Sequence, residues 1–368
     1  MSSVVFILGA GASAHAGVPL MAGFLGKAEE LWKSKRVKDA SSSFKTVFDA
    51  RKVLQSVHSK SALDLNNVET VFSAFEMARV LGSLGNYRGD RVDALADAIR
   101  TVILRTVEET LVLERRDERV FPTREYEHLA KLIKQLREKA EPRQSVSVIT
   151  FNYDMGLDYA LHRTCQGPCY GLETSTPRGH VPLLKLHGSV NWSYCTHCKQ
   201  IEPWTLDWYL SQDKYGFDYV DPRRAVLRIG SSLGVCRFCE KDTVHALIVP
   251  PTWSKIEYYT ILRNVWARAA QELSSAEYIF VIGYSLPETD EFFRYLYGLG
   301  TVAGPPLKAF RVFDIEPKVE GRYRAIVGQG ARGCFDFEAC AFGRAVQKVG
   351  EMFSLRSSFL SRLFGGSG

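Results

Sequence analysis

The stretch Val4–Ser13, VVFILGAGAS, decides which fold is expected for this chain. Its five apolar residues predict a strand buried on both faces, and a turn of small residues follows at once. Gly9 and Gly11 allow a sharp turn and a close approach of the backbone, and Gly17 follows after only small residues and His15. An α/β protein that binds a phosphate at a helix N-terminus often begins in this way, but so does a plain strand–helix connection.

The composition is that of an ordinary globular protein of 368 residues, with 46% apolar and 24% charged side chains. The net charge is +6, and basic and acidic residues are interspersed, so nucleic-acid binding is permitted but not indicated. No apolar run approaches the roughly 20 residues of a membrane span, and the N-terminus lacks the basic region of a signal peptide. We therefore expect a cytoplasmic protein that binds no membrane, whose eight cysteines are thiols or metal ligands.

Six short apolar runs predict strands, and helical patterns separate them. The runs are Val4–Leu8, Ser145–Thr150, Leu183–Leu186, Leu247–Val249, Tyr278–Ile282 and Phe310–Phe313. Most are apolar throughout rather than alternating, as expected of parallel strands covered on both faces. The predicted fold class is α/β: a Rossmann-like, doubly wound parallel sheet with a large helical insertion and a small zinc-binding insertion.

The predicted sheet domain comprises residues 1–20 and 143–368, and it is interrupted by two insertions. Residues 21–142 form the helical insertion, which looks wholly helical. Residues 191–243 form a zinc-ribbon-like insertion. Within the helical insertion, Asn66 and Glu69 are spaced as in a capping box and predict the start of a helix.

Two further helices are predicted from apolar residues at helical spacing. One runs through Tyr126–Leu136, just before the second strand, and the other lies within Ala339–Phe364.

Polar side chains follow the predicted strands at the carboxyl edge, where open α/β sheets bind ligands. Asn152 and Asp154 follow the second strand, although they could simply cap the next helix. His187 follows the third strand, and an ordinary histidine pKa near ~6.5 suits proton transfer at neutral pH; a structural histidine is the alternative. A glycine turn at Gly283 ends a later strand, and Asp314 ends the last, where a carboxylate can accept hydrogen bonds from ribose hydroxyls.

Two Cys-x-x-Cys pairs, Cys195 with Cys198 and Cys236 with Cys239, predict a metal site. Each spacing lets two thiolates bind one tetrahedral zinc at S–Zn distances near ~2.3 Å. The 37 residues between the pairs exceed the roughly 15–20 of a common zinc ribbon, and two unrelated pairs of buried cysteines are the alternative. A site closed by four cysteines would be structural. The aromatic residues of the loop Ile201–Leu233 either pack internally or form a partner surface.

Taken in order, these motifs resemble those of sirtuins, and the resemblance spans nearly the whole chain. The matching segments are Gly9-Ala10-Gly11-Ala12-Ser13 with Gly17-Val18-Pro19, Thr150-Phe151-Asn152-Tyr153-Asp154, His187-Gly188, Gly283-Tyr284-Ser285 and Asp314-Ile315-Glu316. The resemblance implies a Rossmann-like domain that binds NAD+ as substrate and cleaves its nicotinamide–ribose bond. It also implies a structural zinc ribbon directly after the His-Gly strand.

Carried over by matched position, the resemblance implies four roles. The pyrophosphate region would be held by Gly9, Ala10, Gly11 and Ser13. The nicotinamide ribose would be surrounded by Asn152 and Asp154. The catalytic pair would be Asn152, which orients water or the ribose, and the base His187. The phosphate and adenosine end would be lined by Gly283, Ser285 and Asp314.

Two departures from the protein deacylases of that family favour another branch. Pro19 is followed by Leu20 and Met21 instead of Asp-Phe-Arg, and Pro250 and Pro251 stand where deacylases pair with an acyl-lysine peptide. Proline lacks the backbone donor that such pairing needs. The sequence looks more like the sirtuin-like NAD-hydrolases of prokaryotic antiphage defence, which give nicotinamide and ADP-ribose, with a cyclised product as an alternative.

That branch implies gating by a HerA-type ATPase, a short Argonaute or homo-oligomerisation, with nucleic acid involved only indirectly. An NAD-dependent protein deacylase and an inactive NAD- or ADP-ribose-sensing module remain the alternative functions.

Overall fold

The structure is a computed structural model that describes most of the chain, which divides into two units. The described residues are 2–55, 63–116, 119–140, 143–173, 176–205, 208, 215–217, 221, 223–227, 234–241, 245–249, 256–287, 290–302 and 304–353. The first unit comprises Met1–Ala16, Arg116–Leu186 and Leu262–Gly368. The second comprises Gly17–Arg115 and His187–Ile261.

The strands and helices are numbered along the chain. The strands are β1 (Ser2–Leu8), β2 (Ser83–Leu84), β3 (Tyr87–Arg88), β4 (Leu113–Arg116), β5 (Arg119–Phe121), β6 (Gln144–Thr150), β7 (Pro168–Cys169), β8 (Val181–Lys185), β9 (Gly188–Tyr194), β10 (Ile201–Pro203), β11 (Tyr215–Phe217), β12 (Arg224–Leu227), β13 (His245–Ile248), β14 (Tyr278–Ile282), β15 (Ala309–Asp314) and β16 (Phe335–Ala339). The helices are α1 (Phe24–Lys33), α2 (Ser41–Leu54), α3 (Val68–Leu81), α4 (Asp90–Thr110), α5 (Arg124–Glu138), α6 (Gly156–Thr164), α7 (Ile256–Ser274), α8 (Glu291–Gly300), α9 (Val319–Ile326), α10 (Gln329–Arg332) and α11 (Phe342–Met352). Short 3₁₀ segments span Ala10–Ala16, Met21–Gly23 and Lys38–Ala40.

The first unit is built on a seven-stranded parallel sheet of order β16-β15-β14-β1-β6-β8-β7. The residues of Val4–Leu8 are at most 1% exposed, which explains why that run has no polar alternation. The expected α/β fold with a Rossmann-like parallel sheet is therefore confirmed.

The strand order reverses between β1 and β14. The chain runs from β1 to β6 and β8 on one side, and later strands β14 and β15 lie on the other side of β1. Leu8 is in register with both Thr150 and Ile282, so the residues that follow these strands reach the same edge. Such a reversal is the switch point at which open α/β sheets bind ligands.

Five of the six predicted strands belong to this parallel sheet. The sixth, predicted at Leu247–Val249, was expected in the same sheet and does not belong to it. Leu247 and Ile248 of that run lie in β13, which is antiparallel to β9 in a separate three-stranded sheet of the second unit. A short apolar run predicts that a strand is buried, but it does not predict which strand pairs with it. The edge strand β16 was missed, because its half-exposed sequence FDFEA carries no apolar run.

The second unit contains α1–α4, and α4 packs against the other three. The prediction that residues 21–142 are wholly helical is wrong, since the hairpin β2–β3 and strands β4 and β5 lie within that range. Helix α3 is capped by Asn67, whose side chain accepts the Glu69 N–H at 2.8 Å. The predicted cap, Asn66, instead accepts a hydrogen bond from Arg51 Nη2 at 2.7 Å.

Helices α5 and α11 confirm the two other helix predictions for the described residues. Part of the second prediction, residues 354–364, lies outside them. Of the described helices, none is long and apolar enough to cross a membrane. The predicted domain boundaries stay predictions.

Candidate functional site

Two glycine turns meet at the switch point, one after β1 and one after β14. The Gly11 N–H donates to the Gly283 carbonyl at 2.9 Å, and the Gly9 N–H donates to the Ile282 carbonyl at 3.3 Å. A Cβ on Gly9 would lie 2.6 Å from Tyr284 Cα, which no side chain allows. These two glycines therefore serve the contact between the turns, and their N–H groups donate to protein carbonyls.

Gly283 is constrained twice over. Its φ of +62° is left-handed, and a Cβ there would meet the Ala12 nitrogen and lie 2.8 Å from Gly11 Cα. Both neighbours are backbone atoms, which cannot rotate away as the end of a side chain can. Only glycine satisfies both the angle and the space.

Ser13 is the centre of a buried hydrogen-bond network in the first unit. Its side chain is 0% exposed, and its Oγ donates to Asp154 Oδ2 at 2.6 Å. It lies 2.6 Å from the Tyr126 hydroxyl and accepts from Asn152 Nδ2 at 2.7 Å. Because the Ser13 proton goes to the carboxylate, Tyr126 is the donor of their shared bond. The network ties the turn after β1 to the loop after β6 and to α5.

Tyr126 was missed as a site residue because the sequence places it on the apolar face of an amphipathic helix. Burial, and to a smaller extent the charge of Asp154, raise the pKa of Tyr126 well above its usual range. The phenol therefore stays protonated and remains a donor. The spacing of apolar residues predicts that α5 buries this face, but it does not predict the hydrogen-bond partner of the Tyr126 hydroxyl.

Asn152 is half-buried, and both hydrogens of its amide are committed. Nδ2 donates to the Gly9 carbonyl at 2.9 Å and to Ser13 Oγ at 2.7 Å. The group left for a ligand is Oδ1, which can only accept. Asp154 is 4% exposed, and its Oδ1 accepts the Gly156 N–H at 2.8 Å at the start of α6. Asp154 thus bonds the first N–H of α6 from the position before the N-cap residue, Met155.

The ends of β14 and β15 carry the other predicted residues of the first unit. The Ser285 carbonyl accepts from Arg322 Nη1 at 2.9 Å. Asp314 Oδ1 accepts the Glu316 N–H at 2.9 Å and so closes the turn after β15. Burial raises the pKa of Asp314 despite these backbone bonds. Ser285 and Asp314 thus follow β14 and β15 at this edge of the sheet, and their role at a site stays a prediction.

His187 is the first residue of the second unit and stands two positions beyond the end of β8. It is 3% exposed, and its carbonyl accepts the Val249 N–H at 2.9 Å. Gly188 has a φ of +78°, and a Cβ there would overlap the Leu247 carbonyl. The antiparallel strands β9 and β13 thus fix the main chain at this histidine.

His15 lies on the 3₁₀ segment that follows the glycine turn. Its Nε2 is 2.9 Å from Thr123 Oγ1, and its ring stacks on Phe342 with centroids 4.9 Å apart. Burial lowers the pKa of His15, although the charges of Glu125 and Asp154 oppose this. The neutral ring is the form that fits this aromatic setting.

We expect His15 to make the protein less stable in mild acid. Because its folded pKa lies below the unfolded value, its contribution is present above about pH 6.5 and is lost as the pH falls through the folded pKa. His15→Gln should therefore lose less unfolding free energy than the parent between pH 7.5 and 5.5, by urea denaturation. His245→Gln, at an exposed position, is the control. Parallel losses in the parent and His15→Gln would exclude this histidine as the source.

Four cysteines of the second unit form a metal-binding cluster, as predicted. Cys195 and Cys239 have their Sγ atoms 3.6 Å apart, as do Cys198 and Cys236, and all four lie within 4.8 Å of one another. A tetrahedral Zn–S₄ site needs sulfur separations of about 3.8 Å. The cluster therefore fits a closed, structural zinc site.

The two cysteine pairs lie on the same kind of turn. The N–H four residues after the first cysteine of each pair donates back to that cysteine's carbonyl: Lys199 to Cys195 and Glu240 to Cys236, both at 2.9 Å. Lys199 and Glu240 are left-handed, with φ of 60° and 56°. Desolvation opposes ionisation of Cys236, but backbone hydrogen bonds from Cys239 and Phe238 lower its pKa to about 7. The shift at Cys198 is opposite: against the backbone bond from Gln200, desolvation and hydrogen bonds from the other three thiols raise its pKa to about 12.

The aromatic loop after the first cysteine pair is described only in part. Trp204 is buried, packs against Trp208 at 4.1 Å between centroids, and carries the Arg237 guanidinium 3.9 Å from its ring centroid. Internal packing therefore accounts for this part of the loop. Tyr209 and Tyr219 lie outside the described residues.

Comparison with known proteins gives only distant structural similarity. No protein-family model matches the sequence, and no curated protein matches it. A Sir2 enzyme, solved for the mechanism and regulation of Sir2 enzymes, is 15% identical, with 96% of this chain and 94% of that one covered and a TM-score of 0.42. A Sir2 homologue bound to NAD is 14% identical, with 96% and 91% covered and a TM-score of 0.43. A Sir2 homologue bound to ADP-ribose is 13% identical, with 96% and 94% covered and a TM-score of 0.44.

At these scores the likeness establishes neither site residues nor activity for this chain. The fold assignment rests on the sheet order and register given above.

Proposed function

We propose that this protein is an NAD+ hydrolase that cleaves the nicotinamide–ribose bond and releases nicotinamide and ADP-ribose. One observation carries the proposal: the Gly9–Ser13 turn and the loop that carries Asn152 are hydrogen-bonded to each other at the switch point of a parallel sheet. That edge is where such sheets bind nucleotides. The order of sirtuin-like motifs along the sequence supports the same proposal.

Asn152 is proposed to act through its acceptor oxygen. Departure of the cationic nicotinamide leaves positive charge on the ribose, and one nucleophile must be aimed at it while other water is excluded. Because Nδ2 is committed to Gly9 and Ser13, Oδ1 is left to accept a hydrogen bond from that water or from a ribose hydroxyl. The buried Ser13 and Asp154 then act by holding Asn152.

His187 is proposed as the base that takes a proton from a ribose hydroxyl or from the attacking water. The remaining predicted residues, Gly9, Ala10, Gly11, Gly283, Ser285 and Asp314, are proposed to line the pyrophosphate and adenosine parts of the substrate. The four-cysteine cluster would hold zinc for structure alone, since a site closed by four thiolates offers no open position.

We further propose that the enzyme is a gated effector of antiphage defence that depletes cellular NAD. Uncontrolled hydrolysis of NAD would harm the host, so activity needs a trigger. A HerA-type ATPase, a short Argonaute or self-assembly would supply it, as the sequence resemblance suggests.

The test is an assay of purified protein with NAD+, in which mass spectrometry measures the loss of NAD+ and the release of nicotinamide and ADP-ribose. It is run over a range of protein concentrations and after co-expression with each candidate partner. Asn152→Ala and His187→Ala should each slow turnover by about 10²–10⁴-fold. Asn264→Ala and His245→Ala, at exposed positions outside the proposed site, are matched controls. Parental turnover in both site variants would contradict the assignment.

The same assay separates the alternative functions. NAD loss that requires an acetylated peptide would indicate a deacylase, and NAD binding without loss under any condition would indicate a sensing module. Pro250 and Pro251, which favoured hydrolase over deacylase in the sequence, lie outside the described residues.

A further inference from the structure

Lys185, the last residue of β8, is a buried cation in an otherwise apolar strand. Its side chain is 1% exposed, and its ammonium has two partners in the first unit. Nζ donates to the backbone carbonyl of Asp154 at 2.5 Å and to Asp158 Oδ2 at 3.1 Å. Burying an ammonium is costly, and it is tolerated when paired and hydrogen-bonded as here.

The partners of Lys185 lie on the segment that carries Asn152. The loop between β6 and α6 is bonded at its start, where Asn152 Nδ2 donates to the Gly9 carbonyl. Lys185 bonds the same loop at its end, through the Asp154 carbonyl. Asp158 stands in the first turn of α6, and its Oδ1 accepts the Tyr170 hydroxyl at 2.7 Å. The ammonium thus joins β8, the loop and α6.

Stability alone explains this arrangement poorly. A buried ion pair contributes little compared with apolar residues of similar size, whereas its directional bonds can fix one geometry. Lys185 lies between Leu184 and Leu186, so an apolar residue at position 185 would continue the apolar run of the strand. What an apolar residue could not supply is a donor for the Asp154 carbonyl.

We infer that Lys185 is a positioning residue for the proposed NAD cleavage, which holds the loop so that Asn152 Oδ1 stays aimed at the reacting ribose. This inference rests on the proposed function. It concerns the chemical step more than substrate binding, since the Lys185 side chain is 1% exposed and its ammonium bonds protein groups. Misplacement of a reacting group by about 1 Å costs on the order of 10²-fold in rate.

The test compares two ways of removing the ammonium. Lys185→Met should lower kcat by about 10²-fold and change the Kd for NAD+ by less than about threefold, measured well below the melting temperature. Hydrogen exchange in the peptide 150–156 should become faster, while exchange in β14 should not change. The double variant Lys185→Met with Asp158→Leu should recover melting temperature, because both buried charges are gone, but it should not recover kcat.

The control is Arg268→Met, which breaks the Arg268–Glu272 pair of α7 (2.7 Å) outside the proposed site, and it should keep parental kcat. Recovery of kcat together with stability in the double variant, or parental kcat in Lys185→Met, would overturn the positioning role and leave the proposed function standing. A parent protein that neither binds nor cleaves NAD+ would overturn both.

Discussion

Gly283→Ala is expected to destabilise the protein by about 2–5 kcal/mol, from left-handed strain of about 1–2 kcal/mol and overpacking of about 1–3 kcal/mol. The new Cβ would meet the Ala12 nitrogen and stand 2.8 Å from Gly11 Cα. Neither can yield without separating the two turns at the switch point. Urea denaturation followed by circular dichroism measures the loss.

Gly298→Ala is the matched control for this effect. It lies within α8, and no atom is within 4 Å of a Cβ built there. Alanine at that position should stabilise the protein by up to about 1 kcal/mol through helix propensity. If Gly283→Ala left the unfolding free energy unchanged, the close contact of the two turns would not exist in solution.

Cys236→Ser is expected to abolish zinc binding and unfold the second unit. A structural zinc site is worth about 10–16 kcal/mol in apparent binding free energy, which is more than the whole stability of most domains. Zinc content by elemental mass spectrometry should fall from one ion per chain to none, and near-UV circular dichroism should lose the signal of buried tryptophans such as Trp192.

Cys334→Ser, in the first unit and outside the cluster, should keep the zinc and the spectrum of the parent. Full zinc retention in Cys236→Ser would mean that three cysteines and another ligand suffice. No zinc in the parent protein would contradict the site itself.

The sequence predicted those features well that depend on the residue types of one short segment. Val4–Leu8 has no polar alternation because both faces are buried, and the Cys-x-x-Cys spacing places two thiolates on one turn. Both features are local. The partner of a strand is not, and so the apolar run at Leu247–Val249 was placed in the wrong sheet.

The glycine turn shows a second limit of sequence reasoning. Gly9 and Gly11 were expected to let the backbone approach a ligand, and the close neighbour that the structure shows for them is the turn at Gly283. A glycine reveals that something comes close and not what it is. For Tyr126, the apolar spacing of α5 predicted a buried side chain. Its hydrogen bond to Ser13 could not be predicted in that way, because Ser13 lies far away in the chain.

The matching turns at the two cysteine pairs affect which insertions the chain between the pairs can accept. Each pair is shaped by its own backbone bond, from Lys199 to Cys195 and from Glu240 to Cys236. A zinc ion held by the four cysteines would therefore close a loop whose ends are already shaped by these bonds. Since doubling a flexible loop costs only about 0.6 kcal/mol in closure entropy, residues added between the pairs should cost little where they leave the paired strands β10 and β12 in place. We therefore expect insertions between the cysteine pairs to be tolerated outside β10 and β12 and to be costly within them.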